Sequence, residues 1–291
     1  MFSLPKVNYY LPYCLSLGLP FRKYRRYFPV DHFFINIFFL NCLLAAVLPE
    51  VKIVGGTLAV ITEAPWQVAL LYDFNGSGIY YQIYNISFIQ VGYLICSTDI
   101  YNTIIYFVIQ VSAYKIHEQY SARYLENDLA ILFLANPITL GTSAATATLP
   151  AQGLTVVDNA ACFVTGWGML SAGGETPTQL HKMTVSSVNQ IQCVSALSSF
   201  NPVTTNMLCA GRIGIGGMDA CTGDTGGPLM VSNILIGISS WGRGCGEPQY
   251  PGVYTRVPMY RTTWLFRSSH QTRAISSNVS ILNGGLTPGR Y

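Results

Sequence analysis

A glycine-rich stretch near residue 225 places a hydroxyl group beside carboxylates in a pattern suited to nucleophilic chemistry. It reads Asp219-Ala-Cys-Thr-Gly-Asp-Thr-Gly-Gly-Pro228, so that Thr225 follows Asp224 directly and stands six residues after Asp219. A hydroxyl attacks a carbonyl carbon when an adjacent base takes its proton. Glycines let a chain turn tightly, so that backbone N–H groups can face the developing charge. The stretch therefore offers a hydroxyl nucleophile and backbone N–H groups for an oxyanion, whereas the base must lie elsewhere in the chain.

This stretch resembles the nucleophile loop of the trypsin/chymotrypsin family, whose usual form is Gly-Asp-Ser-Gly-Gly-Pro. Four further blocks occur in the family's order, namely Lys52-Ile-Val-Gly-Gly56, Asn127-Asp-Leu-Ala-Ile-Leu132, Cys162-Phe-Val-Thr-Gly-Trp-Gly168 and Ser240-Trp-Gly242. The resemblance covers most of residues 53–268, with a gap over residues 71–111. It implies an all-β fold of two antiparallel Greek-key β-barrels with a short C-terminal helix. Short apolar runs between Gly, Pro, Asn and Ser clusters also indicate an all-β domain.

The resemblance implies a zymogen that is activated by cleavage after Lys52 by another trypsin-like protease. Cleavage would free the α-amine of Ile53, which in this family pairs with the carboxylate at the position of Asp224. That ion pair orders the nucleophile loop. The backbone N–H groups of Gly223 and residue 225 would then form the oxyanion hole.

The resemblance also implies a specificity pocket for a Lys or Arg side chain. Asp219 matches the acid at its base, Gly242 and Gly252 match the small residues of its walls, and Ser240 and Trp241 complete the substrate-binding segment. A buried carboxylate at the end of an open slot pairs with a long cation. The alternative for Asp219 is a structural loop residue. The implied partners are proteins or peptides with Lys or Arg, and protease inhibitors.

Two disulfides are implied by the positions of four cysteines in the family. Cys193 would pair with Cys209 in the second barrel, and Cys221 would pair with Cys245 to tie the nucleophile loop to the pocket wall. Each would stabilise the fold by roughly 2–4 kcal/mol. Cys162 has no cysteine at its usual partner position and is predicted to be a free, buried thiol.

The catalytic triad of the family is incomplete in this sequence. Asp128 matches the acid, but Thr225 stands where the family has serine, and its extra methyl group stiffens χ1 and crowds the path of attack. The family's base lies upstream of the acid in a segment of the form Thr-Ala-Ala-His-Cys. His117 is the only histidine between Ile53 and Asp128, and its context resembles a surface segment instead. The remaining histidines match neither the order nor the context of the base: His32, His181 and His270.

Two hypotheses remain open for the activity of the chain. The first is a noncatalytic or strongly impaired homologue that keeps its pocket for basic side chains. The alternative is an active digestive-type or regulatory trypsin whose His-containing segment was lost through an error in the gene model. Residues 71–111 bear on this choice, because sixteen of these 41 residues are Tyr or Ile. Such a composition also results when AT-rich noncoding sequence is translated. An error in the gene model over residues 71–111 would not account for Thr225, which lies outside that region.

The first 52 residues resemble a leader and activation propeptide. A basic cluster, Arg22, Lys23, Arg25 and Arg26, precedes the apolar run at residues 33–48, as in a signal peptide. A signal anchor that holds the chain in a membrane is the alternative. Residues 53–268 would form the peptidase domain. A polar tail over residues 269–291 contains a glycosylation sequon at Asn278. The predicted location is extracellular, by secretion.

The charge of the chain gives no indication of a nucleic-acid partner. The formal net charge is +3, but residues 1–52 hold six basic and two acidic residues, so the remainder has ten basic and eleven acidic residues. A nearly neutral body lacks the basic surface that nucleic acids require. The eight cysteines do not show the close spacing of a metal site, and neither a metal nor another cofactor is expected.

Overall fold

The structure is a computed structural model that describes residues 54–73, 80–82, 92–97, 105–265 and 279–282. All of them belong to one compact unit, Glu50–Tyr291. The predicted leader, the activation site at Lys52 and Ile53, and the sequon at Asn278 lie outside the described residues.

The described chain is mostly β-structure. The strands are β1 Thr57–Leu58, β2 Ala69–Asp73, β3 Tyr80–Gln82, β4 Gly92–Ser97, β5 Ile105–Ile116, β6 Ala130–Leu134, β7 Ala161–Gly166, β8 His181–Val188, β9 Met207–Gly211, β10 Pro228–Val231, β11 Ile234–Trp241, β12 Gly252–Arg256 and β13 Val279–Leu282. They form two antiparallel sheets, in agreement with the predicted all-β class.

The second sheet closes into a six-stranded barrel. Its strand order is β8-β7-β10-β11-β12-β9, a further pairing of β8 with β9 completes the ring, and β1 adds to β8. Buried and more exposed residues alternate along β8, as expected for a strand with one face toward a core. The core between these strands consists of Cys162, Val164, Met183, Val185, Leu208, Ala210, Ala220, Leu229, Ile236 and Tyr254. This barrel carries the nucleophile loop and the pocket segments.

The first sheet has the strand order β13-β6-β5-β4-β2-β3. All five residues of its strand β6 are buried. The region over residues 71–111, where the sequence pattern is unusual, contributes paired strands, although the registers shift between Cys96 and Ser97 and between Val111 and Ala113. The stretch predicted as a polar tail contributes β13, which pairs antiparallel with β6 and in which the β-branched residues Val279 and Ile281 favour a strand.

Helices are short in the described part of the chain. Helix α1, Gln190–Leu197, begins at Asn189, whose side chain accepts hydrogen bonds from the N–H groups of Ile191 and Gln192. The predicted C-terminal helix takes the form of a 3₁₀ turn, Val257–Met259, followed by a π-helical turn, Arg261–Leu265. No helix among the described residues has the length and apolarity needed to cross a membrane.

Candidate active site

The loop that carries Thr225 is a set of tight turns closed by backbone hydrogen bonds. Asp224 N–H donates to Cys221 O at 2.9 Å, and Gly227 N–H donates to Asp224 O at 2.8 Å. Gly223 has φ of 102° and Gly226 has φ of 90°, in the region that side chains other than glycine rarely adopt. The half-buried Thr225 lies between these two left-handed residues. The loop therefore depends on glycine at both positions.

Strand β11 joins this loop to Asp128. Gly226 N–H donates to Ser239 O, and Ser239 N–H donates to Gly227 O, both at 2.9 Å. The next residue, Ser240, donates its hydroxyl to Asp128 Oδ2 at 2.6 Å. Gly226, the residue after Thr225, and Asp128 are therefore attached to neighbouring residues of one strand, although Thr225 and Asp128 are 97 positions apart in the sequence.

Asp128 is held at the junction between the two sheets. Its side chain is 1% exposed, and its carbonyl oxygen accepts a hydrogen bond from Thr255 Oγ1 at 2.7 Å. The preceding Asn127 has φ of 51°, a conformation that asparagine tolerates better than most residues. Asn127 Oδ1 accepts from the Tyr260 hydroxyl at 2.8 Å. These contacts fix the carboxylate of Asp128 toward β11.

His117 packs against the C-terminal helical segment. Its ring centroid lies 5.5 Å from that of Tyr260 and 5.0 Å from that of Trp264, and its Nδ1 accepts the N–H of Gln119 at 3.1 Å. Burial lowers the pKa of His117, and the nearby Lys115 lowers it further, while Glu118 opposes both. The ring is thus part of a packed aromatic cluster.

Asp219 is buried beside two glycines, Gly246 and Gly252. It is 3% exposed, and its Oδ2 accepts the N–H of Gly246 at 3.2 Å. Among the described residues, its Oδ1 has no hydrogen-bond partner. A Cβ on Gly252 would lie 2.7 Å from that oxygen, and Gly242 is buried directly after β11. Burial raises the pKa of Asp219 to about 7, against the lowering effect of backbone N–H groups. The buried carboxylate therefore has an acceptor oxygen that no group in the described part of the chain uses.

Asp224 is buried beneath the nucleophile loop. It is 2% exposed, and its two oxygens accept the N–H groups of Gly168 at 2.8 Å and Cys221 at 3.0 Å. A Cβ on either Gly166 or Gly168 would overlap the carboxylate, so this close approach depends on glycine. Burial raises the pKa of Asp224 to about 6, while these hydrogen bonds and His181 lower it.

The segment that follows Ile53 lies against the two loops that carry Gly217 and Gly246. A Cβ on Gly246 would approach Val54 Cγ1 to 2.9 Å, and a Cβ on Gly55 would overlap the backbone of Gly217. Gly217 N–H donates to Gly246 O at 2.7 Å, which joins the two loops that receive the segment. Val54 and Gly55 thus pack against the segments that flank Asp219.

Trp241 is completely buried, and Phe200 covers it. The two ring centroids are 6.1 Å apart, and Phe200 is 39% exposed. Two further side chains complete this surface, because the Arg243 guanidinium lies over the rings of Tyr250 and Phe200. Sequence reasoning missed Phe200, Arg243 and Tyr250. Arg243 could have been singled out from the sequence, because it directly follows the Ser-Trp-Gly block. Phe200 could not, because it lies in a loop without a motif.

The two disulfides are the pairs that the resemblance implied. Cys193 and Cys209 have Cα atoms 6.2 Å apart, and those of Cys221 and Cys245 are 5.2 Å apart. Cys162 is a buried free thiol whose Sγ donates to Ala160 O at 3.3 Å, and burial raises its pKa to about 11. Its thiolate is therefore strongly disfavoured.

Comparison with known proteins assigns the chain to a family. The family model described as trypsin matches residues 98–264. Trypsin of Phaedon cochleariae is 36% identical over 229 residues, which cover 73% of this chain and 87% of that protein. Trypsin Tyr p 3.0101 of Tyrophagus putrescentiae is 38% identical over 247 residues, covering 79% and 85%. The vitellin-degrading protease of Bombyx mori is 35% identical over 222 residues, covering 73% and 84%. This chain belongs to the trypsin family of serine proteases.

Proposed function

We propose that this member of the family binds peptide segments through a Lys or Arg side chain and cleaves them very slowly or not at all. The observation that carries the proposal is the carboxylate of Asp219, which is buried and has an acceptor oxygen without a partner among the described residues. A buried ionised carboxylate is costly unless a cation or further hydrogen bonds compensate it. A guanidinium or ammonium group that enters the slot would supply both the positive charge and the hydrogen bonds.

The glycine at position 252 supports a long, unbranched ligand side chain. A methyl group there would lie 2.7 Å from Asp219 Oδ1 and 3.4 Å from Tyr254 Cε2. The absence of a side chain leaves this volume beside the carboxylate free. A Lys or Arg side chain has the length and the charge to use it.

The proposal of slow peptide cleavage rests on the residues that would transfer protons during the reaction. A general base accelerates such reactions by about 10²–10⁴, and losing one member of a cooperative triad costs more. The sequence has no histidine in the family's upstream position, and His117 packs into the aromatic cluster with Tyr260 and Trp264. The hydroxyl of Thr225 also carries a methyl group that crowds its approach to a carbonyl.

The oxyanion hole and the activation by the α-amine of Ile53 are proposed to remain usable for binding. Gly223 and residue 225 would hold a ligand carbonyl in the oxyanion hole, and the α-amine of Ile53 would pair with Asp224 after cleavage at Lys52. The packing of Val54 and Gly55 against the pocket loops supports this activation step. Secretion is proposed as well, because disulfides such as Cys193–Cys209 persist in oxidising compartments.

A Thr225→Ser variant tests the catalytic part of the proposal. After cleavage behind Lys52, this variant is expected to leave an arginine p-nitroanilide substrate intact, because the hydroxyl still lacks a base. Benzamidine binding by calorimetry would establish in the same sample that the pocket is formed. Substantial cleavage by Thr225→Ser would overturn the proposal.

The alternative of an active trypsin rests on the unusual composition of residues 71–111, of which sixteen are Tyr or Ile. The family model matches from residue 98 onward, so the family's upstream histidine segment is not part of that match. The transcript across codons 71–111 distinguishes the two hypotheses. A Thr-Ala-Ala-His-Cys segment there would establish an enzyme with threonine as its nucleophile.

A further inference from the structure

The strand β13 runs toward the end of β6 at which Asp128 lies. The two strands are antiparallel, with Val279 opposite Phe133 and Leu282 opposite Ala130. The chain of β13 therefore advances toward the residues that precede β6, and Asp128 stands two positions before Ala130. Opposite residues of antiparallel strands have Cα atoms about 4.5–5.5 Å apart. Leu282 is thus held beside the beginning of β6, close to the acid of the candidate site.

A succession of neighbouring residues connects Asp128 with the buried carboxylate of Asp219. The Asp128 carboxylate accepts the Ser240 hydroxyl at 2.6 Å. The residue after Ser240 pairs with Val253, which directly follows Gly252. A Cβ on Gly252 would lie 2.7 Å from Asp219 Oδ1. The end of β13 and the proposed pocket are therefore linked by a few contacts across the junction between the sheets.

The sequence after β13 carries a single cation and no carboxylate side chain. It reads Asn283-Gly-Gly-Leu-Thr-Pro-Gly-Arg-Tyr291, and we call residues 283–291 the Arg290 segment. Arg290 stands eight positions after Leu282, and a chain of this length spans up to about 26–29 Å. A small domain is about 30 Å across. Arg290 is thus within reach of Asp219.

The environment of Asp219 is complementary to such a cation. Asp219 is 3% exposed, and its Oδ1 has no hydrogen-bond partner among the described residues. No Lys or Arg in the described part of the chain forms an ion pair with it. A buried ionised carboxylate is costly without a cation or hydrogen bonds, and a guanidinium supplies both. The long stem of arginine suits a carboxylate that lies below the surface.

We propose that the Arg290 segment is an intramolecular ligand of the pocket and that the guanidinium of Arg290 pairs with Asp219. This inference rests on the proposed function. A group on a short tether acts at an effective concentration on the order of millimolar. A contact with a dissociation constant of about 1 mM would then fill the pocket in about half of the molecules or more. A peptide from outside binds only after it displaces Arg290, so the segment is an autoinhibitory element.

Benzamidine titrations test this inference by calorimetry with the full chain cleaved after Lys52. The intact mass of each sample establishes that residues 283–291 are retained. We expect Arg290→Gln to bind benzamidine about two- to fivefold more tightly than the unaltered protein, because the variant lacks the tethered competitor. The control Arg273→Gln removes the same charge from the chain before β13 and should bind benzamidine as the unaltered protein does.

A synthetic peptide shows whether the segment itself is a ligand. The N-acetyl peptide of residues 283–291 should compete with benzamidine for the Arg290→Gln protein, and the same peptide with glutamine in place of arginine should not. The gain in affinity of Arg290→Gln over the unaltered protein should be the same when the protein concentration is raised about tenfold, because a tethered ligand is independent of concentration. A gain that grows with concentration would assign the occupant to a second copy of the chain and overturn the intramolecular contact.

The two proposals fail in different ways in these titrations. Equal benzamidine affinities of the unaltered protein and Arg290→Gln overturn the role of Arg290 and leave the pocket in place. The same conclusion follows if Arg273→Gln shows an equal gain, or if the peptide does not compete although benzamidine binds. Failure of benzamidine to bind both the unaltered protein and Arg290→Gln refutes the pocket at Asp219, and the role of Arg290 fails with it.

Discussion

Protonation of Asp219 is expected to control how tightly the slot binds a cation. Burial raises the pKa of this carboxyl to about 7. A benzamidinium ion binds the ionised form and stays charged itself throughout the neutral and acidic range. Below about pH 7, binding must therefore release a proton, and the apparent affinity must fall as the pH falls.

The size of the effect follows from the pKa. At about pH 5, two units below this pKa, about one molecule in a hundred has Asp219 ionised. The apparent dissociation constant should be about a hundredfold larger than at about pH 9, which corresponds to about 2.7 kcal/mol. With the ordinary aspartate pKa of about 3.9, the same change of pH would alter the affinity by less than about twofold.

Calorimetry between about pH 5 and pH 9 measures both the affinity and the protons released. Buffers with different ionisation enthalpies should show release of about one proton at the acidic end and none at the alkaline end. Asp219→Asn should bind benzamidine weakly, with little dependence on pH, and the exposed Glu175→Gln should match the unaltered protein. A flat affinity across this range would refute the reasoning. The same slope in Asp219→Asn would assign the titration to another group, of which Asp224, with a pKa of about 6, is the first candidate.

Three further substitutions follow from the packing. Gly252→Ala should weaken benzamidine binding at least about tenfold, because its Cβ would lie 2.7 Å from the pocket carboxylate, whereas Gly141→Ala, with open space around it, should have no effect by the same titration. Replacing Cys193 and Cys209 by serine together should lower the free energy of unfolding in urea by about 3 kcal/mol, and an unchanged midpoint would contradict a stabilising disulfide. His117→Ala should destabilise the fold by about 1–2 kcal/mol through lost ring contacts. Burial lowers the pKa of His117 in the folded state. The stabilisation from its neutral ring is therefore present above about pH 6.5 and is lost as the pH falls through the lower folded-state pKa. Urea titrations should accordingly show that the free energies of unfolding of the unaltered protein and of His117→Ala move closer together in acid.

The second barrel could be predicted from sequence because its critical residues have local requirements. Gly223 and Gly226 adopt left-handed conformations that glycine tolerates, and they stand in a contiguous motif. The pairing of Cys221 with Cys245 was implied by the resemblance to the family. These features depend on few residues close together in the chain. The tight turns around Thr225 could therefore be expected from the sequence, whereas the specificity pocket stays a prediction.

The surface beside the pocket could not be predicted in this way. The Phe200 ring covers Trp241 across 41 positions of sequence, and its placement depends on how the loop after α1 folds back onto β11. The pairing of β13 with β6 is likewise a contact between distant segments. No local pattern specifies such packing, because alternative partners for an apolar ring or an edge strand have similar sequence signals.

The contacts of Asp128 give this residue a structural role that does not depend on a catalytic histidine. Asp128 accepts from Ser240 Oγ at 2.6 Å through its carboxylate and from Thr255 Oγ1 at 2.7 Å through its carbonyl oxygen, and both donors belong to the second barrel. These hydrogen bonds attach the start of β6 to that barrel, so they support the junction between the sheets even if no histidine is present. Removal of the carboxylate would leave the Ser240 hydroxyl buried without this acceptor, which typically costs about 1–3 kcal/mol. Retention of Asp128 is therefore no argument for catalysis, and it is the pocket at Asp219 that carries the case for binding.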